Sequence, residues 1–148
     1  WTRRVSIQQH DEFINRVEGR VVLPLCVDMN VAVIPWSPMA RGKLTRAWDE
    51  STNRTESDEF GRYLYGMEES DRAVADAVAA VAAGRGVPRA QVALAWVLRN
   101  PAVASPIIGA TKPHHIDDAV AAVELELTDD EVKTLEDPYV PHPIVGFA

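Results

Sequence analysis

Two short segments of the chain carry residue types that could bind a flat, phosphorylated ligand. The first, residues 36–42 (WSPMARG), directly follows a run of apolar residues. The indole of Trp36 can stack on a planar ring, and the hydroxyl and backbone N–H groups after it can bind phosphate oxygens. The alternative is a Trp36 that only plugs the end of the fold, which the spacing alone slightly favours.

The second segment, residues 109–113 (GATKP), also follows an apolar run and opens a predicted helix. Free backbone N–H groups, the positive end of the helix dipole, the Thr111 hydroxyl and the Lys112 ammonium converge there, and together they suit an anion. Pro113 removes one donor. The alternative is an ordinary helix start that is capped by Thr111 beside a solvated Lys112.

Other catalytic patterns are missing from the sequence. It contains no GxSxG, HExxH, GxxxxGK[ST] or GxGxxG motif. The histidines His10, His114, His115 and His142 do not form a ligand set, and the adjacent pair would point about 100° apart on a helix. We therefore expect solvated histidines and no metal site.

Composition narrows the class of protein. The 148 residues include 47% hydrophobic and 25% charged side chains, which is the balance of a globular domain. A net charge of −7 argues against general nucleic-acid binding, which needs a basic surface. The single cysteine, Cys26, excludes an internal disulfide and favours a reducing, cytoplasmic location. No apolar run is long enough to span a membrane.

The elements that must position the two segments alternate between strand and helix. Strands are predicted over residues 5–9, 31–36 and 105–109, and Pro35 should end the pairing of the second. Helices are predicted over residues 17–29, 71–83 with Ser70 as N-cap, 88–99, 113–123, and from a Thr128 capping box to residue 137. Residues 37–70 are predicted to form a long loop.

This order of elements predicts an α/β fold with parallel strands that are covered by helices. Ligands bind in such folds at the carboxyl ends of the strands, where both segments lie. The strands should lie side by side in chain order. Two phosphate-binding strand ends in succession also occur in (β/α)8 barrels, after strands 7 and 8. A complete barrel has about 250 residues, so this chain would be part of one.

Three blocks make the chain similar to the C-terminal part of the aldo-keto reductases, which are NADPH-dependent (β/α)8-barrel enzymes. VSIQQ resembles the sixth strand of that family, VIPWSPMARGKLTR its seventh-strand signature, and GVPRAQVALAWVLRNPAVASPIIGATKPHHIDDAV its eighth strand and cofactor-phosphate segment. The likeness covers residues 5–143, or about strands 6 to 8, and looks nearest to the bacterial branch related to potassium-channel β-subunits. It implies an enzyme that reduces aldehydes or ketones to alcohols with NADP(H).

The resemblance implies a role in cofactor binding for residues in both segments. Gln8 would hold the nicotinamide carboxamide, and Trp36 would stack on the nicotinamide ring. The stretch that wraps the pyrophosphate matches Ser37, Pro38, Met39, Ala40 and Arg41, and Arg54 falls where a loop arginine often reaches the cofactor. The 2′-phosphate segment matches Gly109, Ala110, Thr111 and Lys112; His115 falls where the family often has Gln or Arg, and Asp118 where it often has Glu.

Some positions depart from the family pattern, and one part of it is missing. Asp11 stands where relatives commonly have Tyr, Gly19 where they have Glu, and Ala119 where many have an adenine-contacting Asn. The catalytic Asp, Tyr, Lys and His of the family lie on the first four or so βα units. We therefore expect no catalytic residue in these 148 residues, no turnover by them alone, and an N-terminal half of the barrel as their partner.

Two other functions stay open at this point. The chain could belong to a sensor or regulatory subunit that binds NADP(H) without turnover, or it could be a short protein that pairs with a separate half-barrel. The reading frame upstream of Trp1 would distinguish them. An in-frame Asp, Tyr, Lys and His supports the enzyme, their replacement supports the sensor, and a stop codon supports the separate chain.

Overall fold

A small parallel sheet lies at the centre of the computed structural model, which describes residues 5–50, 58–65 and 69–142. Its two strands are β1 (Ser6–Ile7) and β2 (Ala32–Val33), which pair in parallel. The register places Ser6 opposite Ala32, so that residues with even numbers on β1 share one face of the sheet. Both strands fall inside the predicted ranges.

Isolated bridges extend this sheet on both sides of β2. His10 pairs with Trp36 beyond the end of β1, and on the other side of β2 the chain pairs in parallel at Val33–Val103 and Trp36–Ile107. β2 is therefore central, and all of these pairings are parallel. The predicted direction and order of the three extended segments are confirmed.

The prediction of a continuous third strand, however, is wrong. The ladder starts regularly, because the Val33 carbonyl accepts a hydrogen bond from the N–H of Ala104 at 2.9 Å. The next two donors along this ladder would be Pro35 and Pro106, neither of which has an N–H. Regular pairing stops there, and the next bond runs from the N–H of Ile107 to the Pro35 carbonyl at 2.8 Å.

Pro35 does not end the pairing of β2 with β1, contrary to the prediction. The next residue, Trp36, still donates its N–H to the carbonyl of Gln9 at 2.9 Å. Successive residues of a central parallel strand bond alternately to the strands on either side. The missing N–H of Pro35 therefore faces the 103–107 segment, and the β1 side is unaffected.

The helix predicted over residues 17–29 is divided in two. A 3-10 turn, Val17–Arg20, is followed by α1, Val22–Met29, and the intervening Val21 has φ −126° and ψ −53°. This division places Pro24 in the first turn of α1, where its missing N–H has no intrahelical partner to lose. α1 ends at Asn30, which adopts the left-handed conformation with φ 51°.

The remaining helices mostly follow the prediction. They are α2 (Glu59–Leu64), α3 (Glu69–Arg85), α4 (Arg89–Leu98), α5 (Pro113–Val123) and α6 (Asp129–Glu136). α2 lies inside the predicted loop. Ser70 lies within α3, so its prediction as the N-cap is wrong. The capping box is confirmed, since the Thr128 hydroxyl accepts the N–H of Glu131 and the Glu131 carboxylate accepts the N–H of Thr128.

Two apolar clusters hold these elements together. The larger one lies among α3, α4, α6 and the segment after β1, and its fully buried members include Phe13, Val78 and Leu135. The smaller one joins Leu23 of α1 to Val33 of β2. One face of the sheet is thus covered by helices, because Val33 is buried while Ser6 and Gln8, on the other face, are exposed.

The two outer helices, α1 and α5, carry exposed apolar side chains. On α1, Leu25 and Met29 are 50% and 53% exposed, and on α5, Ile116, Val120 and Val123 are 56%, 65% and 66% exposed. α1 packs against the central strand β2, and α5 packs against α4. Within the described ranges, no helix is long and apolar enough to cross a membrane.

Candidate functional site

Trp36 lies at the carboxyl end of the central strand, where the three extended segments meet. It pairs with His10 on one side and with Ile107 on the other. The β1–β2 register carries Gln8 and His10 onto the same face of the sheet as Trp36. This face is the one that the helices leave uncovered, and Gln8 and Trp36 both lie on it.

The imidazole of His10 stacks on the indole of Trp36. The ring centroids are 4.1 Å apart and the planes differ by 14°. His10 Nε2 also lies 2.8 Å from the Tyr65 hydroxyl. The expectation of a solvated histidine is therefore wrong for His10, whose side chain is only 12% exposed. Burial lowers its pKa from 6.5 to about 4, so the ring is neutral at physiological pH.

The segment after Trp36 forms a tight turn with unusual backbone angles. Ser37, Ala40 and Arg41 have φ of 58°, 46° and 52°, which non-glycine residues rarely adopt. The turn closes on itself, since the N–H of Ala40 donates to the Ser37 carbonyl at 2.9 Å and the N–H of Gly42 donates to the carbonyl of Met39 at 2.8 Å. Backbone strain of this kind is concentrated at functional segments in proteins. Those two N–H groups are, however, not available to a phosphate in this conformation.

Arg41 is engaged by a carboxylate. Its Nε and Nη2 donate to the two oxygens of Asp58 at 2.5 and 2.9 Å, and its guanidinium lies 5.6 Å from the centre of the Phe60 ring. Asp58 also accepts the N–H of Gly61 at 2.9 Å and so caps α2. A phosphate contact by Arg41 would have to share this guanidinium with Asp58. Arg54 lies outside the described residues.

The second predicted segment is exposed at the start of α5. The N-cap is Lys112, with φ −139° and ψ 149°, so the alternative that Thr111 caps the helix is wrong. No described side chain accepts a hydrogen bond at this N-cap, and Pro113 follows it. Because the N–H of His115 donates to the Lys112 carbonyl at 3.1 Å, the first turn of α5 offers an anion the N–H of His114 together with the exposed Lys112.

Two polar side chains around this helix start are already paired. The backbone N–H of Thr111 donates to His115 Nδ1 at 3.2 Å. Asp118, which is half-buried, accepts a hydrogen bond from Gln91 Nε2 at 2.9 Å and so links α5 to α4. Gly109 follows Ile107 by two residues, and Ile107 pairs with Trp36. Both predicted segments therefore leave the same end of the sheet.

Sequence reasoning missed two buried acids directly after His10. Glu12 is fully buried, its Oε2 accepts the N–H of Ile14 at 2.7 Å, and its Oε1 lies 3.6 Å from His10 Nε2. Burial raises the pKa of Glu12 well above its ordinary value, and it raises that of Asp11 from 3.8 to about 7. An acidic pair directly after a strand gives no sign of burial in the sequence. Among the described residues, no group of three or more His, Cys, Asp or Glu could hold a metal ion.

The buried pair of His142 and Asp71 also contradicts the expectation of solvated histidines. His142 Nε2 lies 2.7 Å from Asp71 Oδ1, and the Asp71 side chain is 2% exposed. This contact holds the end of the described chain against the first turn of α3. It lies apart from the two predicted segments in the sequence and has no assigned part in ligand binding.

Comparisons with known proteins bear on this site. The model of the aldo/keto reductase family matches residues 1–139. The versiconal hemiacetal acetate reductase of Aspergillus parasiticus is 40% identical over 147 residues, which is 97% of this chain and 43% of that protein. An aldo-keto reductase of Alternaria alternata is 38% identical over 148 residues, which is 100% of this chain and 40% of that protein.

A solved structure gives the same result for the fold. The glycerol dehydrogenase of Gluconobacter oxydans superposes with a TM-score of 0.75 and 25% identity over 97% of this chain and 46% of that one. The chain thus spans less than half the length of the curated relatives that it matches. This chain has the fold of the C-terminal part of a (β/α)8 barrel. The curated relatives are fungal, so the expected nearness to a bacterial branch is not borne out.

Proposed function

The chain belongs to the aldo/keto reductase family, and from this premise we propose that it is the cofactor-binding part of an NADPH-dependent reductase of aldehydes or ketones. The observation that carries the proposal is the position of Trp36. The indole lies at the carboxyl end of the central strand, on the uncovered face that it shares with Gln8. The uncapped start of α5 follows the 103–107 segment beyond the same end of the sheet.

The cofactor would supply the hydride that is transferred to the carbonyl carbon. Trp36 would hold the nicotinamide ring by stacking, and the exposed amide of Gln8 would bind its carboxamide. The half-buried indole also excludes water from one side of the ring. The turn at residues 37–41 would follow the pyrophosphate, with Arg41 sharing its charge between Asp58 and a phosphate oxygen. The residue that donates the proton to the carbonyl oxygen is not assigned to this part of the fold.

The preference for NADPH over NADH would come from the start of α5. Lys112 is exposed and extended there, and the N–H of His114 has no side-chain cap among the described residues. A 2′-phosphate would bind both groups, whereas the 2′-hydroxyl of NADH would bind them weakly. Thr111 and Lys112 are therefore the residues that should determine cofactor choice.

This choice is tested with the substitution Lys112→Glu in the protein as its gene encodes it. A charge-assisted hydrogen bond is worth about 1.5–3 kcal/mol, so we expect the dissociation constant of NADPH to rise by about 10- to 100-fold while that of NADH changes little. Lys133→Glu on α6 makes the same charge change at a site paired only with Asp137 by an exposed contact, and it serves as the control. Equal losses for the two cofactors would contradict the placement.

We also propose that further polypeptide covers the outer helices and supplies the catalytic Asp, Tyr, Lys and His. The exposed apolar stripes of α1 and α5 support this, because exposed apolar patches commonly mark surfaces that another part of a protein covers. The outer edges of the sheet, at β1 and at the 103–107 segment, are also positions where more strands could pair. Expression of the 148 residues alone should give an oligomeric or marginally stable product without turnover. A monodisperse, cooperatively unfolding monomer that oxidises NADPH with an aromatic aldehyde would contradict this. The cytoplasmic location stays a prediction.

A further inference from the structure

His10, Tyr65 and Glu12 form a cluster beside Trp36 to which the proposed function gives no role. His10 makes the close ring contact with the indole, at 4.1 Å and nearly parallel. The ring of Phe60 is the other aromatic neighbour among the described residues, and it makes a looser stacked contact with the indole, at 6.5 Å with a tilt of 29°. One face of Trp36 is thus covered by His10.

The plane of the His10 ring is itself fixed by contacts on two sides. Its Nε2 lies 2.8 Å from the hydroxyl of Tyr65, which comes from 55 residues further along the chain and is 4% exposed. The Tyr65 ring also meets the imidazole edge-on at 5.8 Å. Glu12 Oε1 lies 3.6 Å from the same nitrogen and is fully buried. A ring held in this way cannot turn without breaking the bond to Tyr65.

Burial also keeps the imidazole neutral and raises the pKa of the Tyr65 hydroxyl, so this group stays protonated. The hydroxyl donates to Nε2 when the ring proton lies on Nδ1, and it accepts from Nε2 when the proton lies there. A neutral ring behind Trp36 brings no positive charge close to the positively charged nicotinamide of the oxidised cofactor.

We propose that His10, held by Tyr65, is a positioning residue that fixes the indole of Trp36 and presents its opposite face to the nicotinamide ring. This inference rests on the proposed function, because it assumes that the nicotinamide binds at Trp36. The backbone bond from the N–H of Trp36 to the Gln9 carbonyl fixes the main chain. The stack with His10 fixes the remaining freedom, which is the rotation of the side chain.

The proposal is tested with variants that separate the parts of the cluster, in the protein as its gene encodes it. Tyr65→Phe removes only the hydroxyl that holds His10, His10→Phe keeps a stacking ring without the hydrogen bond, and His10→Ala removes both. Tyr63→Phe is the matched control, because Tyr63 is 58% exposed. Three properties are measured: the dissociation constant of NADPH, that of 2′,5′-ADP, which lacks the nicotinamide, and the stereospecificity of deuteride transfer from 4-deuterated NADPH.

We expect His10→Ala and Tyr65→Phe to weaken NADPH about three- to tenfold, the scale of one aromatic pair, without changing 2′,5′-ADP. His10→Phe should have a smaller effect on binding than His10→Ala. His10→Ala and Tyr65→Phe should transfer a measurable fraction of deuteride from the wrong face of the nicotinamide ring. The control Tyr63→Phe should not. A merely structural role would not change the stereospecificity.

Three results would overturn the inference, and only the last of them also overturns the proposed function. If Trp36→Ala weakens NADPH but none of the His10 and Tyr65 variants does, the positioning role is wrong and the site stands. Equal weakening of NADPH and 2′,5′-ADP in the His10 and Tyr65 variants would likewise show general damage rather than positioning. If Trp36→Ala itself leaves NADPH binding unchanged, the nicotinamide does not bind there, and both the proposed site and the positioning role fail.

Discussion

Asp11 should make the stability of the protein fall as the pH rises, and Asp11→Asn should remove this dependence. The side chain is 4% exposed, and burial raises its pKa from 3.8 to about 7 against the opposing effect of Arg16. The folded state therefore binds the proton more tightly than the unfolded state does. The stabilisation is fully present below about pH 4, and it is lost as the pH rises through the folded-state pKa near 7.

The size of the effect follows from the shift. One pKa unit corresponds to about 1.36 kcal/mol, so the two units between pH 5 and the folded-state pKa correspond to roughly 3 kcal/mol of unfolding free energy. Asn has nearly the same size as Asp and carries no charge at any pH. The variant should therefore be more stable than the wild type at pH 8.5, and its advantage over the wild type should shrink by roughly 3 kcal/mol at pH 5.

Urea unfolding at pH 5 and pH 8.5, followed by circular dichroism, measures this difference. Glu12 titrates in the same direction, because burial raises its pKa too, and comparing the variant with the wild type largely cancels that contribution. Asp28→Asn on α1 replaces an exposed acid and is the control, with an expected change within about 0.5 kcal/mol at either pH. An Asp11→Asn variant that is less stable than the wild type by the same amount at both pH values would refute the reasoning. It would show that Asp11 is ionised in the folded protein and is stabilised by Arg16.

Three further substitutions test other parts of the account. Trp36→Ala should cost roughly 1–3 kcal/mol of NADPH binding if the indole stacks on the nicotinamide, as measured by titration with the cofactor; unchanged affinity in a folded variant favours a Trp36 that only packs. Thr128→Ala removes the capping box of α6 and should lower the unfolding free energy by about 1 kcal/mol, and no loss in urea unfolding would contradict its role. Val120→Ala on α5 should lower the unfolding free energy of the complete gene product by about 1 kcal/mol or more, although Val120 is 65% exposed in these 148 residues. An unchanged unfolding free energy would show that no further polypeptide covers this stripe.

Local signals in the sequence predicted the elements whose ends depend on neighbouring residues. α5 begins at Pro113 and α6 follows the Thr128 capping box, because a proline at the first position and a capping box act within one helical turn. The parallel order of the three extended segments also followed from the alternation of apolar runs and helices. Both predicted binding segments lie at the same end of the sheet for this reason.

Features that depend on pairing between distant residues were not predictable in the same way. The third strand is interrupted because Pro35 and Pro106 meet in one ladder, and neither proline alone shows this in the sequence. His10 is buried against Trp36 because the register places the two opposite each other and Tyr65 approaches from 55 residues away. The sequence around His10 is polar and gives no sign of this burial.

A crystal structure of the complete gene product with NADP⁺ would show where both ends of the cofactor bind. We expect the nicotinamide ring to stack on the face of Trp36 that His10 leaves free. We also expect the 2′-phosphate to lie within hydrogen-bonding distance of Thr111 and Lys112 at the start of α5. A nicotinamide ring bound away from Trp36, or a 2′-phosphate that makes no contact with the start of α5, would contradict the proposed site.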